Sequence, residues 1–235
     1  MADVAAVCLT HLDRDHINSG WFGTLHRRGV PVYCHAGRVD DVRALAARYG
    51  AALEVRPFGA EAFEPLAGLS ATPLSFDHDA DGSHGFLLAG SGGRVGYATD
   101  LGHVPIDLVE HFCDLDLLAI ESNYDQRMQV DSPRPWFLKR RIMGGQGHLS
   151  NEQAYDAVRR VLNRCQARGA ALPEHIVLLH RSRQCNCPDL LRVFFSRDER
   201  IAARLVLAEQ DERTDWLRVT REQPFVGGQM ELAWG

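Results

Sequence analysis

A layered α/β fold, with helices covering the outer faces of β-sheets, is the architecture that this sequence predicts. Short apolar runs alternate with segments in which apolar residues recur every three or four positions, as in buried strands and amphipathic helices. The 235 residues are 45% hydrophobic and 24% charged, which is ordinary for a globular protein that buries a core without disulfides. No linker or repeat divides the chain, so we expect a single domain over residues 1–235.

The first part of the chain shows strands and helices in alternation. An apolar run predicts a buried strand, and a helix follows after a polar loop. In the second predicted helix, Val42, Leu45 and Ala46 share one face. The predicted elements are a strand at 4–10, a helix at 19–28, a strand at 30–35 and a helix at 40–49.

The middle of the chain is rich in short strand patterns separated by Gly-rich turns. Strands are predicted at 71–76, 85–89, 95–99 and 115–121. The clearest helix spans 151–168, where Ser150 can cap the first turn and apolar residues fall on one face. A strand at 175–180, a helix at 189–195 and a strand at 201–207 complete the prediction.

Charge and cysteine usage narrow the class of protein. The formal net charge of -5 argues against a surface that is basic throughout, although it allows local basic patches. The six cysteines include no CxxC pair, so the usual structural zinc spacing is absent. We see no secretory signal and no apolar run of about 18 residues. We therefore expect a reduced, cytoplasmic protein with no membrane association.

The strongest chemical signal is the segment HLDRDH, which directly follows the first predicted strand. It places His11, Asp13, Asp15 and His16 within six residues. A loop that leaves a strand end can curl, so these side chains can converge, and imidazole and carboxylate suit zinc, manganese or iron. The alternative is a solvated polar loop with incidental histidines, which this density of ligand types disfavours.

Four later residues also stand at strand ends or in loops. They are His78, Asp100, His148 and His180. Taken singly, each is more often structural, since Asp commonly forms turns and a polar residue commonly starts a helix. Together with the first segment they predict one polar site.

At this point the sequence resembles the metallo-β-lactamase superfamily. THLDRDH is similar to the signature THxHxDH of that superfamily. Later segments, in the same order, look most like the branch of YycJ/WalJ-like nucleases, with ribonuclease Z as a more distant relative: they are HDADGSHGF, GYATDLG, ESNYD, GHLSN and HRSRQCNCPDLL. The resemblance implies a four-layer αββα sandwich without the usual N-terminal strands.

The resemblance also implies two divalent metal ions, with zinc as the first expectation. The first ion would be held by His11, Asp13 and His78, the second by Asp15, His16 and His180, and Asp100 would bridge them. Asp13 stands where the signature has a second histidine. Its oxygen favours manganese or iron, or weakens the first metal position.

Two residues are implied to act in catalysis. Asp15 would orient a metal-activated water, and His148 would donate a proton to the leaving oxygen. Polar positions around the ligands, which would support them or contact substrate, are matched by Ser182, Asn186, Glu121 and Asn123.

The function that this resemblance implies is hydrolysis of phosphodiester bonds, with nucleic acid as the expected partner. One alternative is a different hydrolase of the same fold that acts on a cyclic nucleotide, thioester or lactone, since the fold does not fix the substrate. The other is a degenerate binding domain, which Asp13 favours and His148 disfavours. A pure binding domain has no need of a proton donor.

Three remaining features have more than one interpretation. The basic run 139–141, preceded by Trp136 and Phe137, is either a grip for a phosphate backbone or a solvated loop with a partly buried aromatic anchor. Cys185 and Cys187 are expected to be small residues in the core or near the site. Because the family has several strands before its signature, we expect either that the start is missing from this sequence or that a partner completes the sheet.

Overall fold

The computed structural model describes residues 4–219, and these residues form two sheets with helices on both outer sides. The first sheet is parallel throughout, in the order β1, β2, β3. Its strands are β1 (Val7–Cys8), β2 (Val32–His35) and β3 (Val55–Phe58). Its helices are α1 (Phe22–Arg28), which follows a 3₁₀ turn at Ser19–Trp21, and α2 (Val39–Arg48), which follows one at Ala36–Arg38.

The second sheet has seven strands and is mixed. They are β4 (Phe63–Leu66), β5 (Leu69–Phe76), β6 (Ser83–Gly90), β7 (Gly93–Ala98), β8 (Leu117–Glu121), β9 (His175–Leu179) and β10 (Leu205–Leu207). Spatial order runs from β10 to β4 without a break in numbering. The pairs from β10 to β7 are parallel, and those from β7 to β4 are antiparallel.

Within residues 4–219, six further helices accompany the second sheet or its loops. They are α3 (Leu108–His111), α4 (Gln126–Asp131), α5 (Trp136–Met143), α6 (Asn151–Ala167), α7 (Pro188–Phe195) and α8 (Glu199–Ala202). The longest, α6, begins as predicted at a Ser150 capping box completed by Gln153. Such a cap contributes about 1 kcal/mol, because it satisfies otherwise unpaired N–H groups of the first turn.

Three apolar clusters show how the layers pack. Tyr33 and Phe58 of the first sheet meet Ala71 and Phe86 of the second between the two sheets. On the far side of the first sheet, Val32 packs with residues of α1 and α2. On the far side of the second sheet, the strands pack against α3, α6 and α7. The layers therefore run helix, sheet, sheet, helix, which confirms the predicted αββα sandwich.

Several predicted boundaries need correction. The first strand pairs only at Val7–Cys8, although the N–H of Leu9 still donates to the carbonyl of Tyr33. The final predicted strand is shorter, because Ile201 is buried within α8 and only Leu205–Leu207 is extended.

The basic run 139–141 lies on a helix, α5, and not in a loop. The side chains of Trp136 and Phe137 are 71% and 73% exposed. The expectation of a partly buried aromatic anchor is therefore wrong. Leu138 and Ile142, which are four positions apart on the same helix, form an apolar surface that faces the protein instead.

Candidate metal centre

The predicted site residues converge at one edge of the sandwich, where strands of both sheets end. The loop after β1 carries the HLDRDH segment, β5 leads to His78, and β7 leads to Asp100. The end of β8 supplies Glu121, and β9 is followed directly by His180. Because the carboxyl ends of neighbouring parallel strands share one sheet edge, residues far apart in sequence become neighbours.

Five imidazole rings form a closed circle at this edge. Their order is His11, His16, His180, His148 and His78, with neighbouring centroids 4.1, 5.3, 5.1, 5.2 and 5.2 Å apart. Four of the rings contact the buried carboxylate of Asp100. The nitrogens involved are Nε2 of His16 at 3.1 Å, Nε2 of His180 at 3.5 Å, Nδ1 of His148 at 3.5 Å and Nε2 of His78 at 3.8 Å.

The predicted ligands fall into overlapping groups whose donor atoms lie within 4.8 Å of one another. These groups are His11 with His78 and Asp100, Asp15 with His16 and His180, Asp13 with His78 and Asp79, and Asp100 with Glu121, His148 and His180. All seven predicted ligands are thus brought together. Asp79 is an additional carboxylate that the sequence interpretation missed.

The four histidines predicted as ligands share one way of being held. Nδ1 of His78 lies 2.8 Å from the carbonyl of Gly147, and Nδ1 of His180 lies 3.3 Å from Glu121. The hydroxyl of Thr10 lies 3.0 Å from Nδ1 of His11 and 3.3 Å from Nδ1 of His16. Because Nδ1 of each ring is engaged in this way, Nε2 points toward the cluster. Metal-binding histidines are commonly oriented like this by a hydrogen bond to the nitrogen that does not bind the metal.

The chemistry of the cluster fits divalent metal ions. Nε2 of His11 is buried and has no hydrogen-bond partner among residues 4–219, and an unpaired buried nitrogen is costly unless a ligand fills its place. Five carboxylates meet here, those of Asp13, Asp15, Asp79, Asp100 and Glu121. Arg141 neutralises Asp79, and two divalent cations would balance the four charges that remain.

Two of the predicted ligands have unusual backbone conformations. Asp100 has φ of 56° and His180 has φ of 55°, the left-handed region that non-glycine residues seldom adopt. Both directly follow or nearly follow a strand, so the turn aims the side chain across the sheet edge. Backbone strain of about 1–3 kcal/mol per residue is typical of functional positions.

Glu121 is fully buried and links several parts of the centre. Its carboxylate accepts the backbone N–H groups of Asp100, Leu101 and Leu149. It also lies 3.3 Å from Nδ1 of both His148 and His180. Glu121 therefore supports the residues around it from beneath the circle of imidazoles.

The charged groups shift one another's pKa values strongly. Burial and the charge of His16 lower the pKa of His11 to about 4, which keeps its imidazole neutral near pH 7. A hydrogen bond with His180 lowers the pKa of Asp15 to about 2. Burial acts to lower the pKa of His180, but Asp15 and Glu121 outweigh it and raise that pKa to about 10. Positive charge is thus strongly favoured at this point.

The other predicted polar residues lie around the centre at different depths. Asn123 donates from Nδ2 to the carbonyl of His180 at 2.8 Å. The hydroxyl of Ser182 accepts from Arg134 and from the N–H of Cys185. Asn186 lies further away and joins Ser122 and Asn123 to Asn151. Its described hydrogen bonds reach none of the seven predicted ligands.

An open cleft of about 1180 Å³ leads to the metal centre. Asp13, Asp15, His148 and His180 are among the residues that line it, and α5 forms part of its wall. A cleft of this volume exceeds most pockets for drug-sized ligands. A second cleft of about 470 Å³ approaches the centre from the side of His11 and His35.

Comparison with known proteins agrees with the fold. The family model described as the beta-lactamase superfamily domain matches residues 1–176. This chain belongs to the beta-lactamase superfamily. The predicted superfamily membership is therefore confirmed, and so is the predicted αββα fold.

Three relatives show which members of the superfamily this chain is similar to. Exodeoxyribonuclease YycJ of Bacillus anthracis is 25% identical over 196 residues, which cover 83% of this chain and 70% of that protein. Exodeoxyribonuclease WalJ of Streptococcus pneumoniae serotype 2 (strain D39) is 26% identical over 202 residues, covering 80% and 67%. A solved structure of a diphosphatase from the PhnP family has a TM-score of 0.59 at 19% identity, covering 87% and 67%. The relatives named here are hydrolases, two of them nucleases.

Proposed function

We propose that this protein hydrolyses phosphodiester bonds in nucleic acid. The observation that carries the proposal is the position of His148. Its ring stands in the same circle as the four predicted histidine ligands, but it turns Nδ1 toward Asp100 at 3.5 Å, whereas His16, His78 and His180 turn Nε2 toward that carboxylate. The fully buried carboxylate of Glu121 lies 3.3 Å from the same Nδ1. This arrangement suits a proton donor beside a metal centre.

The metal ions proposed here are two divalent cations, zinc first, with manganese or iron favoured to the extent that Asp13 contributes oxygen. His11, Asp13 and His78 would hold one, Asp15, His16 and His180 the other, and Asp100 would lie between them. Such ions supply a water nucleophile of lowered pKa and positive charge for the phosphoryl oxygens. Asp79 stands 3.9 Å from Nε2 of His78 and is a further candidate ligand.

The chain's own groups would divide the proton movements. Asp15 has a low pKa, so its carboxylate is ionised and can orient a water by accepting its hydrogen bond. His148 would donate a proton to the leaving oxygen, while Glu121 stabilises the protonated imidazole through Nδ1. Glu121 accepts three backbone N–H groups as well, so it is held still during the transfer.

Nucleic acid is the proposed substrate because the cleft is large and open, and because α5, which forms part of its wall, also carries exposed aromatic and basic side chains. Trp136 and Phe137 offer flat surfaces to bases, and Arg140 follows one turn later on α5. The two exodeoxyribonuclease relatives support the same choice.

All six cysteines are free, which supports a reducing, cytoplasmic location. The helices found among residues 4–219 are too short or too polar to span a bilayer.

The test is hydrolysis of a panel of substrates by metal-loaded protein. The panel contains labelled single-stranded DNA, RNA of the same sequence, bis(p-nitrophenyl) phosphate, a cyclic nucleotide, a thioester and a lactone. We expect cleavage of nucleic acid and of the small diester, with no activity in an Asp100→Ala variant purified identically. Activity on the thioester or lactone alone would replace the proposal with a different hydrolase. Inactivity on every substrate would favour a binding domain.

A further inference from the structure

Four arginines line the cleft, and one of them differs from the rest in its partners. Arg141 pairs with Asp79, Arg181 with Glu209, and Arg183 with Asp211. The fourth, Arg134, forms no ion pair with any carboxylate in the part of the chain that the structure describes. Of these four arginines, Arg134 is therefore the one whose positive charge is not paired with a described carboxylate.

Neutral oxygen atoms hold the Arg134 guanidinium in place. Nε donates to Oε1 of Gln184 at 2.8 Å, Nη1 to Oε1 of Gln129 at 3.1 Å, and Nη2 to Oγ of Ser182 at 3.3 Å. Gln129 is fully buried, so one of these acceptors is fixed within the protein. Three of the five N–H groups of the guanidinium are used, which leaves one on Nη1 and one on Nη2.

The position of Arg134 relates it to the metal centre. Ser182, which accepts its hydrogen bond, comes two residues after the predicted ligand His180, and both line the same cleft. Arg134 makes no described hydrogen bond with any predicted metal ligand. It also precedes Pro135 and the exposed Trp136 at the start of α5. Arg134 thus contacts the loop that follows His180 and stands, in sequence, just before the exposed Trp136.

We propose that Arg134 binds a phosphate of the substrate next to the one that is cleaved. This inference rests on the proposed function, because it assigns a neighbouring phosphate of the same nucleic-acid chain. A guanidinium recognises phosphate through paired N–H groups, and one that its own protein does not neutralise keeps its full attraction for an anion. Fixing the side chain in advance reduces the entropy lost on binding.

A structural role is the competing explanation. Arg134 joins Gln129 of α4 to Ser182 and Gln184 in the loop after β9, so its loss alone could loosen the cleft wall. Such loosening would weaken every ligand alike. A phosphate-binding role affects charged ligands only, and this difference defines the experiment.

The experiment measures binding of two fluorescein-labelled hexathymidylates to metal-loaded protein by fluorescence anisotropy. One has phosphorothioate linkages, which keep the charge and resist hydrolysis, and the other has uncharged methylphosphonate linkages. We expect Arg134→Gln to weaken binding of the charged hexamer by about 10- to 100-fold and to leave the uncharged one unchanged. Arg183→Gln, which removes an arginine already paired with Asp211, should change both by less than about twofold.

Salt dependence provides a second readout. Each phosphate contact to a single strand contributes a slope of about 0.7 in log Kd against log salt concentration. Arg134→Gln should reduce this slope by about that amount, and Arg134→Lys should preserve it while losing part of the affinity. Unchanged binding of the charged hexamer, equal loss for both hexamers, or wild-type protein that does not bind the charged hexamer would each overturn the inference.

Hydrolysis of unmodified hexathymidylate separates this inference from the proposed function. Wild-type protein that binds the charged hexamer through Arg134 but cleaves no diester would retain the phosphate site and overturn the proposed activity. Cleavage with the same KM in wild type and Arg134→Gln would retain the activity and overturn the phosphate site.

Discussion

The carboxylate of Glu121 and the imidazole of His180 lie 3.3 Å apart, measured from Oε2 to Nδ1. Because Nδ1 is engaged in this contact, Nε2 faces the carboxylates of Asp15 and Asp100 at 3.6 and 3.5 Å. The same carboxylate lies equally close to Nδ1 of His148. One buried acid thus orients both a predicted metal ligand and the proposed proton donor.

Glu121→Gln is expected to reduce metal affinity by about 10- to 100-fold. The amide has the same shape as the carboxylate. However, its NH₂ group would face N–H donors that a carboxylate oxygen accepts in the wild-type protein. Competition with a chromophoric chelator measures the affinity, and circular dichroism verifies folding. Glu152→Gln, at an exposed position in the first turn of α6, is the matched control. Equal metal affinity in both variants would show that Glu121 does not orient the ligands.

His148→Ala is expected to lower turnover by about 10²- to 10⁴-fold while metal content stays the same. The decrease should be large for an oligonucleotide, whose leaving oxygen needs a proton. It should be much smaller for bis(p-nitrophenyl) phosphate, whose leaving group departs as an anion. His103→Ala removes a histidine whose side chain is 52% exposed and serves as the control. A similar decrease with both substrates would contradict proton donation, and loss of metal would make His148 a ligand.

Trp136→Ala and Phe137→Ala are each expected to weaken binding of single-stranded DNA by about 1–3 kcal/mol if each ring stacks on one base. Turnover of bis(p-nitrophenyl) phosphate should not change, because neither ring is among the residues that line the cleft at the metal centre. Tyr49→Ala, an exposed aromatic residue beside α2 in the first helical layer, is the control. Anisotropy titrations that give the same DNA affinity for the wild type and all three variants would exclude Trp136 and Phe137 from substrate binding.

Gly147→Ala tests the support of His78. A Cβ at this position would stand 2.4 Å from the carbonyl oxygens of Arg141 and Ile142, so the backbone must move. The carbonyl of Gly147 would move with it and release Nδ1 of His78. We expect a loss of about 1–3 kcal/mol in unfolding free energy together with weaker metal binding. Gly59→Ala, where the added carbon meets nothing within 4 Å, should change neither, as calorimetry and metal titration would show.

Much of the site could be predicted from the sequence because its residues directly follow apolar strands. The positions of His78, Asp100 and His180 depend only on where β5, β7 and β9 end, and those ends are visible as changes from apolar to polar residues. The helix α6 was likewise predictable, because a capping residue precedes a clear apolar face.

Other elements gave little signal. The strands β3 and β4 were not predicted, because each contains a proline, Pro57 or Pro65, and proline in a sequence pattern disfavours a strand. Both strands lie at sheet edges, where proline is tolerated. Helix α5 follows Pro135, has only eight residues and begins with three consecutive apolar residues, so its pattern lacks the spacing of an amphipathic helix. The hydrogen-bond partners of Arg134 could not be predicted, because one of them, Gln129, lies on α4, and the other two, Ser182 and Gln184, lie in the loop after β9. Only the folded chain brings these acceptors together.

The most direct test of the metal centre is elemental mass spectrometry on protein purified without chelators, alongside Asp100→Ala. The carboxylate of Asp100 contacts four of the five histidines in the circle, so its removal should release metal from both positions. We predict about two equivalents of zinc, manganese or iron in the wild-type protein and a clear loss in the variant. Folded wild-type protein that contains no transition metal, and takes up none on titration, would contradict the proposed hydrolytic centre.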